Sequence, residues 1–175
     1  LFAYLLILMP RILNSIRAPN GKETNSLNHY WWRLKNPLNI VLNFIVIEIT
    51  KFMPSLTLKR IFLRCLGMKV GKNAALGLGV QFDIFFPELI ELGENCILGY
   101  GATVLAHEFL IEELRTGKVI IGRNVMIGAN STILPGVRVG DGAVVSACSL
   151  VNKDVPAGAF VGGVPAKSLR KEKRR

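Results

Sequence analysis

From Val70 onward an aliphatic or aromatic side chain returns every sixth residue, and no other feature of the sequence restricts the fold so tightly. The series runs Val70, Leu76, Phe82, then Leu92, Leu98, Val104, then Ile121, Ile127, Ile133, Val139, Val145 and Val151. It is broken twice, by four extra residues after Phe82 and by eleven after Val104. Internal repetition at this period indicates a β-helix.

The other positions of the hexad set its geometry. The second reads Gly71, Gly77, Asp83, Gly93, Gly99, Leu105, Gly122, Gly128, Leu134, Gly140, Ser146, Asn152. Glycine thus fills the first two hexads of each three, Ser146 excepted, which makes three hexads one turn of a three-sided coil of 18 residues. There are about four such coils. The fifth position is small or β-branched, as an inward partner in a narrow prism must be. The fourth is Gly, Asn or Asp in nine of twelve hexads, the residue types that tolerate the positive φ of a tight corner. Phe85, His107 and Cys148 break that rule, and departures from a locally consistent pattern are where function is expected.

Composition excludes other classes. Half of the 175 residues are apolar and 19% are charged, too hydrophobic for a disordered chain, and the 17 glycines follow no Gly-X-Y period. Cys65, Cys96 and Cys148 form no CxxC pair and leave one odd, so neither a disulfide scaffold nor a zinc knuckle is indicated. The net charge of +10 is uneven: residues 1–72 hold 11 basic and 2 acidic groups, 73–165 hold 5 and 9, and 166–175 hold 6 and 1. A nucleic-acid module concentrates charge on its folded face, so no nucleic-acid partner is expected. Basic ends suit anionic lipid, a phosphate-bearing ligand or solubility.

The expected organisation is an N-terminal helical, apolar and basic segment (1–67), a β-helix (68–166) and a basic tail (167–175). Leu1–Met9 is apolar but shorter than the ~20 residues of a spanning helix. Leu38–Met53 reads as a helix with a narrow polar stripe, stopped by Pro54; Ser55 opens a short basic helix through Arg64, ended by Gly67. Both helices could cap the open end of the prism. Trp31 and Trp32 beside Arg33 suit contact with a membrane surface instead.

The hexad pattern resembles that of the hexapeptide-repeat acyltransferases, and Ile121–Lys167 is similar to the C-terminal half of the maltose, galactoside and xenobiotic O-acetyltransferases. The resemblance implies a mainly β fold, a left-handed parallel β-helix preceded by N-terminal α-helices. It implies a homotrimer with its site between protomers, acetyl-CoA as acyl-donor substrate, and no metal. It also maps the general base onto His107, beside a protruding eleven-residue insertion, Glu108–Lys118. Imidazole suits that role because its charge changes near neutral pH. Glu108 is one candidate to orient its ring.

For the donor, the resemblance implies cofactor-binding positions at Ala129 and Ala147, stacked along the pantetheine path. Asn152 and Lys153 occupy the family's Thr-Lys pair, and Lys167 and Arg170 match basic positions facing the CoA phosphates. Asp83 is the candidate acceptor-binding residue. Phe85 and Phe86 either line an apolar acceptor pocket or pack under the helices. Cys148 reads as a tolerated small substitute and His29 as a linker residue without a role. With two histidines, the chain cannot assemble the three-histidine zinc site of the γ-type carbonic anhydrases, which share this coil. The expected activity is transfer of an acetyl group to a hydroxyl of a sugar or cell-envelope saccharide, in the cytoplasm or peripherally at its membrane face. An amino-sugar N-acetyltransferase and a non-enzymatic β-helical scaffold are the alternatives.

Overall fold

The computed structural model describes residues 13–17, 27, 32 and 35–169. Leu1–Met9, His29, Trp31, Arg170 and the tail beyond it lie outside the described residues. Among the described residues the chain is mainly β, with two helices of ten residues or more ahead of a series of two- to four-residue strands.

Those strands fall into three parallel stacks taken in rotation. One holds β2 (Lys69–Val70), β5 (Ile90–Leu92), β10 (Val119–Ile121) and β13 (Arg138–Val139). The second holds β3 (Ala75–Leu76), β6 (Ile97–Leu98), β11 (Met126–Ile127), β14 (Val144–Val145) and β16 (Phe160–Gly162), with β17 (Lys167–Ser168) antiparallel at its end. The third holds β4 (Gln81–Phe82), β7 (Thr103–Val104), β12 (Thr132–Ile133) and β15 (Leu150–Val151). The registers Leu76↔Leu98, Leu98↔Ile127 and Ile127↔Val145 put the periodic residues directly above one another. They form the core: Leu98, Val104, Ile127, Ile133 and Val145 are fully buried. Truncating such a side chain to alanine costs about 2–5 kcal/mol.

The repeating glycines answer to that stacking. A Cβ on Gly128 would lie 2.3 Å from the backbone nitrogen of Ala147 in the coil above, so any side chain there would push the coils apart. The corners need the left-handed conformation, which Asn73, Asn95, Asn124 and Asn130 adopt together with Cys148 (φ 55°). Cys148 therefore keeps the corner geometry. His107, at the corner after the third face, does not share that conformation: there the chain opens a strand that leaves the prism.

The eleven-residue insertion is accordingly not a loop. β8 (His107–Phe109) and β9 (Glu113–Thr116) form an antiparallel hairpin. β1 (Asn14–Arg17) adds a third strand on the far side of β9, pairing Asn14 with Thr116 and Arg17 with Glu113. A piece of the N-terminal segment is thus continuous with the β-helix insertion. The tail expected from residue 167 opens with β17, which pairs with β16.

α1 (Pro37–Phe52) starts on Asn36, whose side chain accepts a hydrogen bond from the Leu38 amide at 2.9 Å, and Pro54 ends it. α2 (Leu56–Cys65) starts on Ser55 and ends at Gly67 (φ +88°). Its cations close the open edge of the prism. The first strands spend amides on the next coil, Gly71 on Leu92 and Ala75 on Cys96, while carbonyls on the same edge face α2. Lys59 Nζ donates to the Leu76 and Gly77 carbonyls at 3.2 and 2.9 Å, Arg60 to Ala74 at 3.2 Å, and Arg64 Nε to Val70 at 2.9 Å. An exposed strand edge invites mispairing, and these side chains occupy it. Capping is thus what α2 does with its positive charge.

Candidate active site

Asp83 follows β4 and His107 follows β7, the strand stacked on it, so both stand at the corner after the third face of the prism. The Asp83 side chain is wholly buried and spends both oxygens. Oδ1 accepts the amides of Phe85 and Phe86 at 2.8 and 2.9 Å; Oδ2 accepts the Ala106 amide at 2.8 Å and meets His107 Nδ1 at 2.5 Å. Burial alone would raise the Asp83 pKa. The hydrogen bond and charge of His107, with the Phe86 and Ala106 amides, outweigh it and hold the carboxyl below its ordinary range. An ionised carboxylate only accepts, so in the neutral ring Nδ1 carries the proton and Nε2 presents the lone pair.

Three phenylalanines wall the imidazole. The rings of Phe85, Phe109 and Phe86 stand edge-on to it, with centroids 4.9, 5.0 and 6.0 Å away, the T-shaped arrangement that aromatic quadrupoles favour. The His107 side chain keeps 16% of its exposure, enough for one edge to meet a ligand. Behind the wall, Lys35 Nζ lies 5.1 Å from the Phe86 ring centroid and 2.5 Å from Glu88 Oε1, and Asn43 Nδ2 donates to the Ile84 carbonyl at 2.9 Å. The segment holding Asp83 and both phenylalanines is thereby fixed against α1.

Asp83, the residue expected to contact the acceptor, has both oxygens engaged and no exposure, and its carboxylate is turned to His107. The acid on Nδ1 is thus Asp83 from the coil below, where adjacency had pointed to Glu108. Phe109, from the insertion, and Lys35, from the N-terminal segment, are neighbours of the site that the hexad pattern does not mark.

The donor residues separate into two groups. Asn152, Lys153 and Lys167 come together on a cavity of about 500 Å³ floored by Val151, Val155 and Val161. Asn152 and Lys153 stand at the same corner as His107, two coils higher, or about 10 Å at the usual strand spacing. Ala129 and Ala147 are stacked as expected, the Cys148 amide donating to the Ala129 carbonyl at 2.8 Å. They stand at the corner after the second face, a full strand away from His107. One chain therefore does not bring the two alanines to the imidazole. Among the described residues no three His, Cys, Asp or Glu side chains converge as a metal site would require.

A three-sided parallel β-helix of hexads, with a buried Asp–His pair at one corner and a cationic, apolar-floored cavity above it, defines a transferase of the hexapeptide-repeat class. Residues 118–153 match the model of the bacterial transferase hexapeptide (six repeats). YvoF of Bacillus subtilis (strain 168), which carries the provisional name of an acetyltransferase, is 56% identical over 149 residues, 83% of this chain and 84% of its own. A maltose O-acetyltransferase from Clostridium difficile 630 shares the fold at a TM-score of 0.60 and 22% identity, over 85% of this chain and 91% of that one. So does a galactoside acetyltransferase solved with coenzyme A, at 0.58 and 24%, over 77% and 80%. The chain belongs to the hexapeptide-repeat acetyltransferase family.

Proposed function

We propose that the protein transfers an acetyl group from acetyl-CoA directly to a hydroxyl of a sugar or cell-envelope saccharide, with His107 as general base. The observation that carries this reading is the His107–Asp83 pair, which fixes one imidazole tautomer inside an aromatic wall. Nε2 takes the acceptor's proton as its oxygen bonds to the thioester carbonyl carbon. The resulting oxyanion collapses, the C–S bond breaks, and the imidazolium returns the proton to the departing thiolate. The products are an acetyl ester and the free thiol of CoA. Asp83 stabilises the imidazolium and holds the ring; it is a positioning residue. A general base contributes about 10²- to 10⁴-fold to such a step.

On this reading the prism is left-handed, with four complete coils. Its cavity near Asn152, Lys153 and Lys167 takes the nucleotide end of CoA, the apolar floor meeting the adenine and the ammonium groups the phosphates, and Arg170 adds to them. The pantetheine runs past Ala129 and Ala147. Because those alanines and His107 occupy different corners, one donor molecule meets both sets only where two protomers face each other, which supports a homotrimer with the site between subunits. The setting is the cytoplasm. The testing experiment is acetyl-CoA-dependent thiol release with a panel of sugars, amino sugars and envelope glycan fragments. Acceleration by a hydroxyl acceptor supports the reading, acceleration by amino sugars alone makes it an N-acetyltransferase, and none with any acceptor leaves the scaffold alternative.

A further inference from the structure

α1 is built inside out. Its buried residues are Ile40, Asn43, Ile47 and Thr50, two of which need hydrogen bonds to be there: Asn43 to the Ile84 carbonyl and Thr50 to the Ile47 carbonyl. Its outer side carries Leu38, Val41, Leu42, Ile45, Ile49 and Phe52, each between 47% and 76% exposed. At 3.6 residues per turn these six fall within an arc of about 100° opposite the buried side, and no polar residue of the helix falls in that arc. α2 shares part of the inversion, with Lys59 buried beside Leu63 and Leu58, Ile61 and Phe62 exposed. An amphipathic helix in water normally shows the reverse, so this face has an apolar partner.

Charge identifies the partner. Residues 1–72 carry 11 basic groups and only Glu23 and Glu48 as acids; Lys51, Lys35 and Lys69 pair with Glu48, Glu88 and Glu91, and Lys59, Arg60 and Arg64 donate to neutral carbonyls, so the segment stays strongly positive. Two such surfaces brought together as a second copy would repel; an anionic lipid surface attracts them. α1 has 16 residues, shorter than a span, and among the described residues no helix is long and apolar enough to cross a membrane. It can lie flat, apolar side down. Trp32, half exposed just before α1, belongs to the residue type that settles at headgroup level.

We propose that the outward face of α1 and α2 docks on an anionic lipid bilayer. Because Asn43 and Lys35 hold the segment 83–88, docking sets the His107 pocket close to the headgroups; that consequence rests on the acyl-transfer reading, whereas docking itself does not. The experiment is flotation of the full chain with phosphatidylcholine vesicles, with and without phosphatidylglycerol, at low and high salt. It compares the intact protein, Ile49→Ser and Ile45→Glu/Ile49→Glu, with melting curves and light-scattering mass for each.

The expected result is binding that requires phosphatidylglycerol, weakens with salt and falls about tenfold or more in the double variant, with melting and mass unchanged. Ile49→Ser, which adds no charge, weakens binding less. Absence of vesicle binding by the intact protein overturns the proposal. So does a double variant that drops to a smaller oligomer while vesicle binding persists, since the face would then join copies of the chain. Thiol release with a soluble acceptor is measured on the same variants and stays intact if docking alone is lost.

Discussion

Asp83 concentrates the account at one residue, because a single buried carboxylate orders two phenylalanine amides, an alanine amide and the imidazole. Asp83→Asn keeps the shape but replaces one acceptor oxygen with a donor that faces N–H groups, at about 1–3 kcal/mol for unsatisfied buried polar groups. The expected result is a kcat loss approaching the ~10²- to 10⁴-fold worth of the general base, with KM for acetyl-CoA unchanged. A purely structural role would instead move both constants together. The stability difference has a definite sign with pH. The folded-state pKa of Asp83 lies below its unfolded value of 3.8, so its contribution is complete above that pH and is lost as pH falls through the folded value. Urea midpoints of the two proteins should therefore differ most near neutrality and converge in acid. The sequence held a signal for this pairing that was not used: the second position of every third hexad reads Asp83, Leu105, Leu134, Asn152. A carboxylate at a position that leucine takes in the next two coils is costly to bury unless hydrogen-bond donors or a cation receive it, and His107, one coil above, is the residue that breaks the corner pattern.

The strands of the prism were legible because a six-residue period leaves each of them only one way to face the core. α1 and α2 were legible too, from the apolar run Leu38–Met53 and from Pro54, Ser55 and Gly67, within a residue or two at their ends. The hairpin β8–β9 and its partner β1 were not. The pairing of β1 with β9 joins residues about a hundred positions apart, and Asn14-Ser15-Ile16-Arg17 has no alternation that marks a strand, so only the folded context makes one. Nor did the sequence show that basic α2 side chains would point inward, since a buried lysine is worth its desolvation only where carbonyls await it. Burial lowers the pKa of Lys59, yet its two hydrogen bonds cover the Leu76 and Gly77 carbonyls. Lys59→Met fills the same space and strands both acceptors, and should destabilise the protein by on the order of 1–3 kcal/mol in urea unfolding. An unchanged midpoint would mean that the edge needs no cap.

The whole molecule divides its labour by level. The repeat builds a stiff prism, two insertions in it bring Asp83 and His107 together, and the N-terminal helices close one end while bracing the aromatic wall. Ala129 and Ala147 lie at a different corner from His107, whereas Asn152 and Lys153 share its corner two coils higher, and this separation is what supports the proposed site between subunits. What the account claims above all is that His107 Nε2 takes the acceptor's proton, and the direct measurement is kcat for His107→Ala with the best acceptor, alongside calorimetric affinity for CoA. The predicted result is a loss of about 10²-fold or more in kcat at an unchanged affinity for CoA. Retention of full turnover by His107→Ala would contradict it, and would move the chemistry away from this corner of the prism.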